Sequence, residues 1–297
     1  MNLRPAREAD FTAIAGFLAA DEELLLGRPS RLAETDIRAW LHRTDLATGS
    51  WLFEEDGRIA AFGWVEPHGE VGVAVGIVGE DAKGRGLGSE LVERSERALR
   101  DAGVSRIHAI ALAADPSAAG LLAAHGYREV RRFWEMTIDL GEPPPEPELP
   151  AAMRIETFTE ADARPFHDAL DEAFRDHWEH HSRPFEQWWE ERSGAPDFDP
   201  TIWFLVRDGD EVAAVTRNDP NRNGGGWIGA LGVRPAWRGR GLGKALLLHS
   251  FRAFHARGAA RVGLGVDAEN ATGATKLYES VGMRVDMEQV VYEKAVA

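Results

Sequence analysis

The chain contains no cysteine in its 297 residues, which excludes disulfides, thiolate metal sites and a cysteine nucleophile. It has no apolar run long enough to cross a bilayer and no basic-then-apolar N-terminal signal, so neither membrane insertion nor secretion is expected, and a cytoplasmic protein is. Basic residues are in deficit: 34 Lys and Arg stand against 49 Asp and Glu, a formal net charge of -15. Nucleic-acid recognition needs a broad cationic surface, so no nucleic-acid partner is expected, and the balance suits a cationic or amine substrate. The rest is ordinary: 44% hydrophobic and 28% charged residues are the composition of a folded globular protein, and the length is about twice that of a typical domain.

The chain is an internal repeat. "GEPPPEPELP" at Gly141 to Pro150 is a proline-rich, acidic stretch that reads as a semi-rigid spacer. It predicts a domain over 1–140, a linker over 141–152 and a second domain over 153–297. The same signals recur on either side of it in the same order, beginning with "READ" at Arg7 and "TEAD" at Thr159. "WLFEEDGRIAAF" from Trp51 and "WFLVRDGDEVAAV" from Trp203 each read as a strand, an Asp-Gly turn and a strand. A glycine-rich turn follows in each half, then an amphipathic helix (Ser89 to Ala102, Lys244 to Arg257) closed by Gly103 or Gly258. Strands at Val104 to Ala113 and Val262 to Asp267 come next, and in the second Val262, Leu264 and Val266 alternate with Gly263 and Gly265. "LLAAHGY" at Leu121 and "LYESVGM" at Leu277 introduce a final helix and strand. The expected class is α+β, duplicated.

The glycine turns hold the chemistry. In "WRGRGLGKALL", Gly239, Gly241 and Gly243 remove side chains where successive backbone N–H groups turn inward at a positively polarised helix start. Phosphate fits there, and Arg238, Arg240 and Lys244 add cationic donors. A Walker loop would need Ser or Thr where Ala245 stands, and the dinucleotide fingerprint would need a glycine where Lys244 stands, so both readings fail.

"VRPAWRGRGLGKALL", followed by Asn270 and "LYESVGM", resembles the acetyl-CoA-dependent GNAT N-acetyltransferases. Arg238-Gly239-Arg240-Gly241-Leu242-Gly243 matches that family's Arg/Gln-x-x-Gly-x-Gly/Ala pattern in full. Lys83-Gly84-Arg85-Gly86-Leu87-Gly88, leading into Ser89, matches with lysine in the first place. The resemblance implies that each half is a central mixed, mostly antiparallel sheet with a splayed parallel strand pair, flanked by helices. It implies acetyl-CoA as acyl donor, no metal, both turns as pyrophosphate cradles, and Leu231, Gly232 and Val233 presenting strand backbone to the pantetheine arm. A strand N–H in such sites polarises the thioester carbonyl. The tandem layout is similar to that of mycothiol synthase and its relatives, in which the C-terminal half is the working one.

Acyl transfer to an amine needs a neutral amine and a proton for the departing thiolate. Tyr278, at the tyrosine position of the family motif, is the expected general acid, since a phenol of pKa ~10 can serve a thiol of pKa ~8.5 held beside it. The aligned residue of the first half is Leu122, which has no proton to give. Asn270 either caps its helix or hydrogen-bonds the pantetheine, and Asp115 holds the comparable place in the first half. The family's usual strand glutamate is missing: "GGGWIGALGVRP" offers Trp227, Gly229 and Ala230 where a carboxylate would be sought. Remote base candidates are His177, His180, His181, Asp176 and Glu179. The helical spacing of His177 and His181 permits a metal, yet the His-Glu-x-x-His order is absent, and a solvated helix face is the plainer reading. Trp178, Trp188, Trp189, Trp203 and Trp227 read as core packing, with one or two available to wall an acceptor pocket.

These readings point to an N-acetyltransferase acting on the primary amine of a small molecule, with a catalytically degenerate first half, in a monomer (an internal pseudo-dimer) or a homodimer. The competing reading is a coenzyme-A-binding sensor or partner-binding protein without catalysis.

Overall fold

The computed structural model describes residues 1–195, 198–270 and 273–296. In chain order the first half forms β1 (Asn2–Arg4), α1 (Phe11–Leu26), α2 (Glu34–Leu41), α3 (Leu46–Gly49), β2 (Ser50–Glu55), β3 (Arg58–His68), β4 (Val71–Val78), α4 (Leu87–Asp101), β5 (Arg106–Leu112), α5 (Pro116–Ala124) and β6 (Arg128–Asp139). The second half repeats the series as β7 (Met153–Thr157), α6 (Ala163–Phe174), α7 (Phe185–Ser193), β8 (Phe204–Asp208), β9 (Glu211–Arg222), β10 (Gly225–Val233), α8 (Leu242–Ala256), β11 (Arg261–Asp267), α9 (Ala274–Ser280) and β12 (Arg284–Ala295).

Local chemistry accounts for the punctuation. Asp56 and Gly57 hold φ of 50° and 76°, both central positions of the hairpin turn whose twist matches the flanking strands. Asn223 and Gly224, at 50° and 69°, make a turn with the same two left-handed residues between β9 and β10. Gly103 (81°) and Gly258 (79°) end α4 and α8 in the left-handed conformation that glycine adopts without Cβ strain.

The compact units do not follow the 1–140 and 153–297 division. One comprises Met1–Trp134, Asp267–Glu269 and Met287–Ala297; the other comprises Glu135–Val266 and Asn270–Asp286. The last strands are exchanged. Residues 289–295 of β12 pair antiparallel with residues 106–112 of β5, so the end of the chain completes the first unit, in the order β1-β2-β3-β4-β5-β12. The second unit runs β6-β11-β10-β9-β8-β7, so its border strand comes from the first half. The linker belongs to the second unit as well. Pro144 is buried, its carbonyl accepts a bond from Arg252 of α8 at 2.7 Å, and Arg252 also pairs with Glu146. A guanidinium on α8 thus anchors the spacer, which its own composition does not do.

Both units contain one parallel strand pair that separates. β4 pairs with β5 only over Val71–Ala74 before continuing to Val78, and β10 pairs with β11 only over Gly226–Ile228 before continuing to Val233. Gly263 explains part of the bare face of β11: a Cβ there would lie 2.7 Å from the Trp227 ring, so the indole covers the strand backbone directly. In the first unit, Phe11, Ile14, Ile37 and Phe62 form the centre of one core cluster.

The exchange makes the C-terminal strand part of the first unit's fold. Val290, Val291 and Val296 are buried, and full burial of a valine side chain is worth about 1.5–3 kcal/mol. A chain ending at Asp286 is expected to lose cooperative folding of the first unit, measured as loss of amide-exchange protection in β5; protection equal to that of the full chain refutes the assignment.

Candidate active site

In the second unit, β10 delivers the chain through one turn of tight helix (Pro235–Trp237) into the glycine turn and α8. Gly239 and Gly241 hold φ of 76° and 82°, where a side chain would be strained. The Gly241 carbonyl accepts the Ala245 N–H at 3.0 Å, which places the first N–H groups of α8, free of intrahelical partners by geometry, at the mouth of the turn. Gly243 has a different reason: a Cβ there would come within 3.0 Å of Leu277 on α9. Leu242 is buried and anchors the helix start, while Lys244 is exposed. Arg238 is held by neutral groups, its Nε by the Val233 carbonyl at 3.2 Å and its Nη2 by the Ala173 carbonyl at 3.1 Å. Arg240 bonds the Ala236 carbonyl at 3.3 Å and stands 3.9 Å from Asp208.

The first unit repeats the backbone and matches its cations with carboxylates. Gly84 and Gly86 hold φ of 76° and 84°, and the Glu90 N–H bonds the Gly86 carbonyl at 3.1 Å. A Cβ on Gly88 would lie 2.7 Å from Leu121, matching Gly243 against Leu277, and Leu87 is buried like Leu242. Here, however, Lys83 pairs with Glu80 at 2.8 Å, and Arg85 forms a two-pronged pair with Glu55 at 2.7 Å on each arm. Ser89 bonds His125 at 3.1 Å. Burial pushes the Asp21 carboxyl up to about 6, against the pull of Lys83 and with help from Asp115 and Glu80. An incoming phosphate would meet cations already matched by carboxylates.

The strands differ too. β3 and β4 pair without a register shift from Ala61 to His68. β10 slips against β9 between Ile228 and Ala230, a bulge at Gly229, and a bulge takes a peptide group out of the ladder. Leu231, Gly232 and Val233 lie beyond it, paired with β9 but past the end of the parallel ladder to β11. Gly232 is closely covered, since a Cβ would lie 2.9 Å from that of Ala173 on α6.

Tyr278 lies on α9 and is 8% exposed. Its carbonyl accepts the Met283 N–H at 3.1 Å beside Gly282, just as the Leu122 carbonyl accepts the Tyr127 N–H at 3.0 Å beside Gly126, so the two positions are structurally equivalent. Burial pushes the phenol up to about 12. Its hydroxyl makes no hydrogen bond to a described residue. Asn270 does not cap α9, whose N-cap is Gly273 at φ 77°, whereas Asp115 caps α5 by accepting from Ser117 and Ala118. The extra residue between Asn270 and Tyr278 removes that register.

The histidine stretch is not a helix. α6 ends at Phe174, α7 begins at Phe185, and Glu179 holds a φ of 53°, so the spacing of His177 and His181 has no helical meaning. His180 bonds Asp171 at 3.0 Å, and His181 bonds the Glu179 carbonyl at 2.8 Å. Trp188, Trp203 and Trp227 are buried, and Trp188 and Trp203 stack around Phe166 and Phe158 as core.

One carboxylate near the strand was missed. Asp219, on β9, stands directly across the ladder from Trp227 and is 4% exposed. Arg217 bonds its Oδ1 at 3.0 Å. A Cβ on Gly229 would lie 2.6 Å from Arg217 Nη2 and 2.8 Å from Asp219 Oδ2, so the pair fills the space the glycine vacates. The available signal was an Arg-x-Asp in a strand otherwise rich in Val and Ala.

Among the described residues no helix is long and apolar enough to cross a membrane. Residues 17–127 and 163–283 match the family model described as "Acetyltransferase (GNAT) family". The chain is 33% identical over 294 residues to a mycothiol acetyltransferase of Thermobispora bispora, covering 92% of this chain and 96% of that one. A mycothiol acetyltransferase of Nocardiopsis dassonvillei is 32% identical over 275 residues, with 80% and 79% covered. Among solved structures, a GCN5-related N-acetyltransferase from Sphaerobacter thermophilus matches with a TM-score of 0.87 at 32% identity, covering 99% of this chain and 95% of that one. A tandem GNAT protein from the clavulanic acid biosynthesis pathway shares the fold, with a TM-score of 0.75 at 16% identity over 99% and 98% of the two chains. The duplicated strand-turn-helix architecture and these matches together establish that the chain belongs to the acetyltransferase (GNAT) family, as a tandem member and an acyltransferase.

Proposed function

We propose that the protein transfers an acetyl group from acetyl-CoA to the primary amine of a small molecule, with chemistry in the second unit. The charge contrast between the two glycine turns carries this reading. Arg238 and Arg240 are positioned mainly by carbonyls and keep their charge for a pyrophosphate, while Lys83 and Arg85 are matched by Glu80 and Glu55. The first unit also has Leu122 where the second has Tyr278.

Acetyl-CoA supplies the acyl thioester when bound. The N–H groups opening α8, with Arg238, Arg240 and Lys244, hold its diphosphate. Leu231 to Val233 and Asn270 line its pantetheine. Backbone at the Gly229 bulge faces the thioester carbonyl and stabilises charge developing there. Tyr278 donates to the departing sulfur. A phenol raised to about 12 stays loaded with its proton at every working pH, and it releases that proton only as negative charge builds on the sulfur beside it. The first unit acts as a scaffold with weak coenzyme affinity. The names of the relatives point to an acceptor of the mycothiol type, that is, its unacetylated amine.

Tyr278→Phe is expected to lower kcat for thiol release by about 10²-fold or more, the scale of a general acid, with the acetyl-CoA KM little changed. A variant as fast as wild type assigns Tyr278 to packing and favours the sensor reading. Because burial pushes the phenol up to about 12, the expected wild-type kcat profile shows no fall from Tyr278 deprotonation between pH 7 and 10; such a fall, absent in Tyr278→Phe, would contradict the buried environment.

Calorimetry on the full chain separates the turns. Arg238→Ala with Arg240→Ala is expected to weaken acetyl-CoA binding about tenfold or more, as loss of charged hydrogen bonds does, whereas Lys83→Ala with Arg85→Ala leaves it within about twofold. The reverse pattern moves the coenzyme to the first unit.

A further inference from the structure

The family resemblance leaves this chain without a carboxylate on β10. The ladder places one across from it, on β9. Faces of β10 are set by its glycines: a Cβ on Gly226 would strike Phe254 of α8 at 2.4 Å, and one on Gly232 would meet Ala173 of α6 at 2.9 Å. Trp227 alternates with Gly226 and so faces α6, and Asp219, directly opposite Trp227, shares that face. The vacated side of Gly229 opens on the same pair of side chains.

We propose that Asp219, oriented by Arg217 at the Gly229 bulge, is the carboxylate that receives the acceptor amine and takes the proton it loses. The inference rests on the acetyltransferase reading of this site. Three observations combine. Asp219 is 4% exposed, a depth at which a carboxylate is retained only with strong partners. Its Oδ1 accepts a hydrogen bond from a guanidinium at 3.0 Å, which fixes its rotamer. Its Oδ2 lies 2.8 Å from a Cβ position that only glycine leaves empty, beside the peptide group turned out of the ladder by the bulge.

The step balances without a further reactant. The amine lone pair forms the C–N bond to the thioester carbonyl carbon, and the C–S bond breaks. The proton shed by nitrogen passes to Asp219 and then to solvent, while the Tyr278 proton goes to sulfur and is restored from solvent. A carboxylate suffices as acceptor because the nitrogen becomes strongly acidic once bonded to carbon.

The test uses the full chain, acetyl-CoA and a panel of amino sugars, amino acids, small peptides and unacetylated mycothiol. Asp219→Asn is expected to lower kcat/KM for the acceptor by about 10²-fold. It should also weaken acceptor binding to the coenzyme-A-saturated protein about tenfold by calorimetry, and leave the acetyl-CoA Kd within about twofold. Gly229→Ala should lower the acceptor parameters likewise by displacing the pair. Where Asp219→Asn alone fails to fold, Arg217→Gln with Asp219→Asn removes both charges together and is read in the same way. Acceptor parameters unchanged in a folded Asp219 variant overturn the proposal, as does an equal loss of coenzyme and acceptor binding, the mark of a structural role. A wild-type chain that binds acetyl-CoA but releases thiol to no amine overturns the transferase reading beneath it, while normal Asp219→Asn turnover beside an active wild type overturns the Asp219 role alone.

Discussion

Two left-handed residues at the head of α8 are the constraint from which the proposed chemistry follows. Gly239 and Gly241 hold φ of 76° and 82°, and that geometry aims main-chain N–H groups at one point in front of a helix start. A Cβ at either position would strain the turn, so the cradle is built from backbone. Side chains then decide whether it is used. Where carbonyls hold Arg238, the positive field persists; where Glu55 and Glu80 meet Arg85 and Lys83, it is cancelled.

Duplication therefore preserved shape and let charge diverge. Gly88 against Leu121 and Gly243 against Leu277 show the same helix approach in both units, and Leu122 and Tyr278 occupy the same hydrogen-bonded position. Packing tolerates either side chain there, because both are largely apolar. Proton donation does not, and a bulge in β10 without a counterpart in β4 adds a second difference. Because terminal strands are exchanged, removing either half of the chain removes a strand from the other half's unit.

Much of this was legible in the sequence. The Asp-Gly turn, the glycine-closed helices and both glycine turns appear where local φ preferences and hydrophobic period put them, with α4 and α8 beginning two residues earlier than the amphipathic pattern suggested. The histidine stretch misled because helical spacing was assumed across Glu179, whose positive φ breaks the helix. Asn270 misled in its capping alternative for a related reason: one extra residue moves the cap to Gly273. Asp219 was passed over because the Arg-x-Asp spacing does not by itself reveal a cross-strand pairing with Trp227 or a place beside Gly229.

What the chain's letters determine unaided is the doubled series of elements and the two phosphate-shaped turns, since each depends on dihedral preference and periodicity within a few residues. Only the tertiary structure decides which strand completes which unit, which cations are matched by carboxylates, and which carboxylate stands beside Gly229. The strand exchange and the match of Arg85 depend on atoms brought together from 30 to nearly 200 positions apart, such as Arg85 with Glu55 and Lys294 with Glu96, and the setting of Asp219 depends on a register shift between β9 and β10; no local pattern encodes either.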